Sequence, residues 1–206
     1  LKDGILLYSY FRTNRANPPN WFYDCINEKY HPNISDHWTK LPDFIPDTGD
    51  IKNIWEISRF NWLLVFAAAY SLSKSEKYLI TMNNWVADWV RNNPPNVGPN
   101  WKCGQETSLR AINIIVAFEL MGCEKLTPAL LQFLRIHLAR IRPTLSYAKS
   151  QDNNHGISEA IAMLMISAFL IRTTGEKKYT SSLNVGYRLL ENRVSHLILD
   201  DGSFSQ

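Results

Sequence analysis

The stretch Ser150-Gln151-Asp152-Asn153-Asn154-His155-Gly156 sets side-chain amides and an imidazole where a polar loop meets the apolar run Ile157 to Ile171. An amide offers N–H donors without carrying charge, and histidine is the side chain whose ordinary pKa lies nearest neutrality. A helix starting here adds unpaired backbone N–H groups and a partial positive charge, which together suit an anion. The residue types therefore offer a site that holds an anion beside a titratable base. The plain alternative is that an Asx-rich turn ahead of a helix is only a cap.

Charged residues recur at comparable places. Glu56 and Arg59 stand at i, i+3 near the start of one apolar-periodic segment, and Glu106 and Arg110 stand at i, i+4 near the start of another. Either pair could be a local ion pair. His155 and Glu159 occupy the matching place in the third such segment. Polar residues at one end of successive segments suggest the lining of a shared cavity, with Asn153, Glu56, Arg59, Glu106 and Arg110 as binding residues. Trp101, after the loop Asn96-Val97-Gly98-Pro99-Asn100, is either a sugar platform or a loop anchor. His137 lies on an apolar helical face and reads as packed. No paired zinc ligands, phosphate loop or nucleophile elbow is visible, so no metal and no cofactor is expected.

Apolar periodicity near 3.6 residues dominates from Asp50 onward. It predicts one helix from Asp50 to about Ser71 and a second from Ser75 to the Asn93-Pro94-Pro95 stop. A third runs from about Gln105 to Met121, and a fourth starts at Thr127-Pro128 and ends before Pro143. A fifth follows His155 to about Thr173, with Gly175 beyond it, and a sixth covers about Tyr179 to Leu199. Glu76-Lys77, Glu124-Lys125 and Glu176-Lys177 recur about 50 residues apart, which predicts stacked helical hairpins. Residues 1–47 carry Pro18, Pro19, Pro32, Pro42 and Pro46 and read as an irregular arm, pinned by Trp21, Phe22, Tyr23, Trp38 and Phe44 onto a body of residues 48–206.

Net charge is +3, too small to mark a nucleic-acid binder, and a nucleic-acid partner is not expected. No run looks long and apolar enough for a membrane span, the longest candidate being Trp62 to Tyr70. Leu1-Lys2-Asp3-Gly4 shows no leader pattern. Cys25, Cys103 and Cys123 show neither metal spacing nor an even-numbered framework, and their disulfide state stays open. Oligomeric state is not set by the sequence.

Taken in order, Trp55-Glu56, Ser58-Arg59, Asp88-Trp89, Asn93-Pro94, Asn100-Trp101, Glu106 with Arg110, Asn153-Asn154-His155 and Asp201-Gly202-Ser203 resemble the heparinase II/III-type polysaccharide lyases, which are themselves similar in build to alginate lyases. The resemblance covers about residues 45–206. It implies an all-α fold, an incomplete α/α toroid of stacked antiparallel hairpins, with further domains beyond. It implies β-elimination on an acidic, uronic-acid polysaccharide, in the periplasm or outside the cell. By resemblance Asn154 holds the uronate carboxylate and His155 sits at the reacting sugar. The family's catalytic Tyr is expected just past the Asp-Gly-Ser turn. The chain ends at Ser205-Gln206, so it reads as the N-terminal portion, inactive alone. Two other readings remain open. One is an α/α-scaffold glycoside hydrolase using Asp152 and Glu159; the other is a non-catalytic glycan-binding or helical-repeat module.

Overall fold

The structure, a computed structural model, describes residues 17–204 apart from 33, 43, 46–48 and 123–126. Cys123, the Glu124-Lys125 pair and Pro46 lie outside the described residues. The protein is all-α. Its helices are α1 (Lys52–Ser58), α2 (Asn61–Ser73), α3 (Glu76–Asn92), α4 (Gly104–Leu120), α5 (Pro128–Ile141), α6 (Leu145–Ser150), α7 (Asn154–Thr174) and α8 (Thr180–Leu197). The strands among the described residues are β1 (Tyr23–Asp24) and β2 (Lys29–Tyr30), an antiparallel hairpin in the arm that the prolines made look irregular.

Consecutive helices pair as α2 with α3, α4 with α5 and α7 with α8, and the inner members α2, α4 and α7 pack side by side. Helices α4 and α7 run parallel. Cys103 meets His155 at their starts, and Arg172 pairs with Glu119 near their ends. Helix α8 runs back along α7, with Gly186 against Ala160 and Leu164, and Arg193 against Gly156. A Cβ at 186 would lie 2.9 Å from the Leu164 nitrogen, so glycine there permits the close approach. The starts of α4 and α7 thereby share one end of the stack.

Local signals explain most boundaries. The Thr127 hydroxyl accepts the Leu130 N–H while Pro128 opens α5. Gly175, at φ 73°, ends α7 in the left-handed conformation that glycine adopts without penalty. The Asp50 carboxylate accepts the Lys52 N–H ahead of α1. Ser75, where the second helix was expected to start, stands at the N-cap of α3 and makes no side-chain cap bond.

The single helix expected from Asp50 to Ser71 is broken. Phe60 sits at φ 66° between α1 and α2. The Arg59 carbonyl accepts from the Asn113 side-chain amide of α4 at 2.8 Å, and the same amide donates to Asn61. The left-handed turn drives the Phe60 ring inward, among Trp21, Trp62, Trp89 and Phe133. Burial of that ring offsets a strained backbone. The short helix α6 was also absent from the expected set.

Trp21 anchors the arm in this cluster, with its indole N–H on Asp88. Trp38 lies under the Arg140 guanidinium at 3.8 Å. Phe44, expected as another anchor, is 69% exposed. The expectation about membrane spans is also corrected: α7 is long and apolar enough to cross a membrane by length and composition alone. Half of that apolar stretch is buried inside the fold, where it packs between α4 and α8 as a core helix.

Candidate functional site

The loop before α7 resolves into a cap followed by two outward-reaching residues. Asn153 accepts the His155 N–H through its side-chain oxygen at 3.0 Å, so its role in the fold is that of an N-cap. Asn154 is exposed and His155 half-buried, both in the first turn of α7. Neither is sealed in the interior. His155 Nδ1 lies 3.9 Å from Cys103 Sγ, at the start of α4. Burial pushes the imidazole below its ordinary range; the Glu106 charge works against that shift and Lys52 reinforces it. A neutral imidazole at a helix N-terminus can accept a proton, and the partial positive charge of the helix start favours an anion beside it. Burial pushes the Cys103 thiol up to about 11, so it stays protonated.

Glu56, Arg59 and Glu106 form a charged chain beside this point. Arg59 donates bidentately to Glu106, at 2.6 Å and 2.9 Å, and also pairs with the exposed Glu56. The expected Glu106–Arg110 pair at i, i+4 does not form. Glu106 turns to Arg59 across the helix interface, while Arg110 turns inward. With two carboxylates already on it, the Arg59 guanidinium has little left for a uronate.

Arg110 and Trp101 sit deeper than a sugar-binding role requires. Arg110 is fully buried and donates to His137 Nε2, the Ser58 carbonyl and the Asn100 carbonyl, at 3.1, 3.1 and 3.0 Å. Its guanidinium also lies over the Trp89 ring at 4.2 Å. His137 is held neutral by burial, with Nδ1 on the Phe133 carbonyl and Nε2 accepting from Arg110. It is the packed residue its apolar face suggested. Trp101 is 1% exposed and its indole N–H donates to the Asn93 carbonyl. Of its two open readings, the loop anchor is the one the geometry carries.

Two contributors escaped the sequence reading. Arg140 ties the Trp101–Lys102 carbonyls to α5, at 3.0 and 2.8 Å. Its place three residues past His137 on an apolar helix was the available signal. Gly104 accommodates the Glu159 carboxyl. Asp152 faces solvent and pairs with Arg193, whereas Glu159 is buried, so these two carboxylates do not flank an open cleft. A separate cavity of about 640 Å³ lies between α3 and α5, lined by apolar residues such as Val86, Val90, Leu130 and Ile136. It does not include Asn154 or His155.

The structure thus presents stacked helical hairpins with an amide and an imidazole in the first turn of α7. The chain matches the heparinase II/III N-terminus family over residues 2–205, and it belongs to that family. It is similar to a heparin-sulfate lyase of Bacteroides thetaiotaomicron, 25% identical over 236 aligned residues that cover 97% of this chain and 33% of the relative. The chain thus spans about a third of the length of that curated relative. No solved structure matches.

Proposed function

We propose that this chain is the N-terminal helical module of a polysaccharide lyase that cleaves a uronic-acid-containing polysaccharide by β-elimination. The observation that carries the reading is the pairing of exposed Asn154 with half-buried His155 in the first turn of α7. Support comes from family membership and from the relative named as a heparin-sulfate lyase, which makes heparan-type glycans the first substrates to test ahead of alginate-like ones.

The chemistry runs as follows. The Asn154 amide donates to the uronate carboxylate, within the partial positive charge of the helix start. The neutral His155 imidazole takes the C5 proton, and the electron pair left behind is delocalised into the carboxylate. Donors on that carboxylate stabilise the developing charge as an oxyanion hole does. The pair then forms the C4–C5 double bond as the C4–oxygen bond breaks. An acid from beyond this stretch, the Tyr implied by the family resemblance, protonates the leaving oxygen. Asn153 orients the turn, and the Glu56–Arg59–Glu106 chain holds α1 against α4 beside it. Arg110 and Trp101 act through the framework and do not touch the sugar. Likeness to a heparin-sulfate lyase supports work in the periplasm or outside the cell.

The test is turnover of the full-length protein, read as ultraviolet absorbance of the unsaturated uronate. Asn154→Ala and His155→Ala are each expected to cut the rate about a hundredfold or more. Unchanged rates in both variants remove these residues from the mechanism. Products lacking the new double bond favour hydrolysis instead, and binding without cleavage favours a non-catalytic module.

A further inference from the structure

Glu159 lies one turn beyond His155 on α7 and is 2% exposed. Its carboxyl overhangs the first residue of α4: a Cβ on Gly104 would sit 2.5 Å from Oε1 and 2.8 Å from Oε2. Any residue but glycine at 104 would displace it. Oε2 is buried without a hydrogen-bond partner among the described residues.

Few charges reach this carboxyl. Arg140 faces it from α5, but that guanidinium is spent on the Trp101 and Lys102 carbonyls and on Thr144. Helix α4 contributes Cys103, a protonated thiol, and Glu106, which Arg59 neutralises. Lys52 on α1 acts on His155, and Arg193 on α8 turns to Asp152 and the Lys149 carbonyl. A carboxylate with one oxygen orphaned in the interior is costly, and a carboxylic acid there costs less. Burial pushes Glu159 up to about 7, with Arg140 pulling the other way.

We propose that Glu159 is a positioning residue that holds one of the site's protons, keeping the floor beneath His155 uncharged while an acidic ligand is bound. Its ionisation puts a negative charge under the helix start that receives the ligand's carboxylate. That charge repels both the bound anion and the charge developing during proton abstraction. The identity of the ligand rests on the lyase reading; the protonation of Glu159 does not.

The experiment is carried out on the full-length protein, using heparan sulfate as the probe. Carbon NMR of the labelled Glu159 carboxyl follows its titration, and KM and kcat are measured across pH for wild type and Glu159→Gln, which keeps the shape but cannot ionise. The carboxyl signal is expected to inflect near 7. The wild-type KM is expected to rise about fivefold between roughly pH 6.5 and 8.5, with the Gln variant flat over the same range. A carboxyl titrating in the ordinary Glu range overturns the proposal, as do parallel KM profiles. Should wild type form no unsaturated product from any acidic glycan, the lyase reading alone fails. The carboxyl titration, with heparan sulfate binding in place of turnover, then decides the proposal. Because that titration uses wild type, it holds even if the Gln variant does not fold.

Discussion

The start of α4 and the start of α7 both bring polar side chains to the same end of the helical stack, yet they end in opposite conditions. At α4, Glu106 is clasped by Arg59, and Arg110 spends its donors on His137 and two backbone carbonyls. At α7, Asn154 faces solvent, His155 keeps a half-exposed imidazole with a weak sulfur neighbour, and Glu159 Oε2 has no partner among the described residues. Satisfied polar groups rigidify a fold, and unsatisfied ones are available for a ligand or a proton. The first region is framework, and the second is the one the proposed elimination chemistry uses.

The contrast predicts its own largest effect at Arg110. Arg110→Met strips donors from the Ser58 and Asn100 carbonyls and from His137, and is expected to cost about 3–5 kcal/mol in urea unfolding. A loss under about 1 kcal/mol would show that the cluster is not what holds these helices together.

Next comes pH. His137 is held neutral in the folded protein, below its ordinary pKa, so the unfolded chain binds more protons as pH falls. Its stabilisation is complete above about 6.5 and is lost below that value. Glu159 runs the other way. Its folded pKa is raised to about 7, so its contribution is complete below about 4.5 and is lost as pH rises through 7. Glu159→Gln is therefore expected to abolish the alkaline decline, gaining up to about 3 kcal/mol on wild type between pH 5 and 8, while the acid decline survives. Identical pH curves for the two proteins would deny the buried carboxyl its assigned state.

Gly104→Ala should cost about 1–3 kcal/mol through its clash with Glu159, and less when Glu159 is also Ala. Additive losses would mean that the carboxyl does not sit against α4. The smallest expected effect is at Asn154. Its exposed side chain makes Asn154→Ala worth under about 0.5 kcal/mol in stability, measured by thermal unfolding, even though the same change is expected to abolish most turnover.

The sequence disclosed what local rules control. Apolar spacing marked the long helices, Thr127-Pro128 opened α5 as read, and Gly175 closed α7. The break at Phe60 was hidden because the Arg59 carbonyl is satisfied by Asn113, a residue distant in sequence on another helix. Arg59 and Arg110 looked alike, each within a turn of a glutamate. Which arginine takes Glu106 is decided by how α1 lies against α4, and no spacing rule contains that. Trp101 could not be divided between platform and anchor until the Asn93 carbonyl was found under its indole. The Asn153-Asn154-His155 turn was legible as either a cap or an anion site, and Asn153, read as a binding residue, serves in the fold as the cap. The buried state of Glu159 was not, because it depends on a glycine across the interface.

The most direct test of the central claim is a titration of the full-length protein with a uronic-acid oligosaccharide, followed by NMR of the histidine imidazoles and asparagine side-chain amides. The account predicts that His155 and Asn154 shift on binding while His137, locked against Arg110, does not. Saturable binding that leaves both Asn154 and His155 unmoved would contradict it.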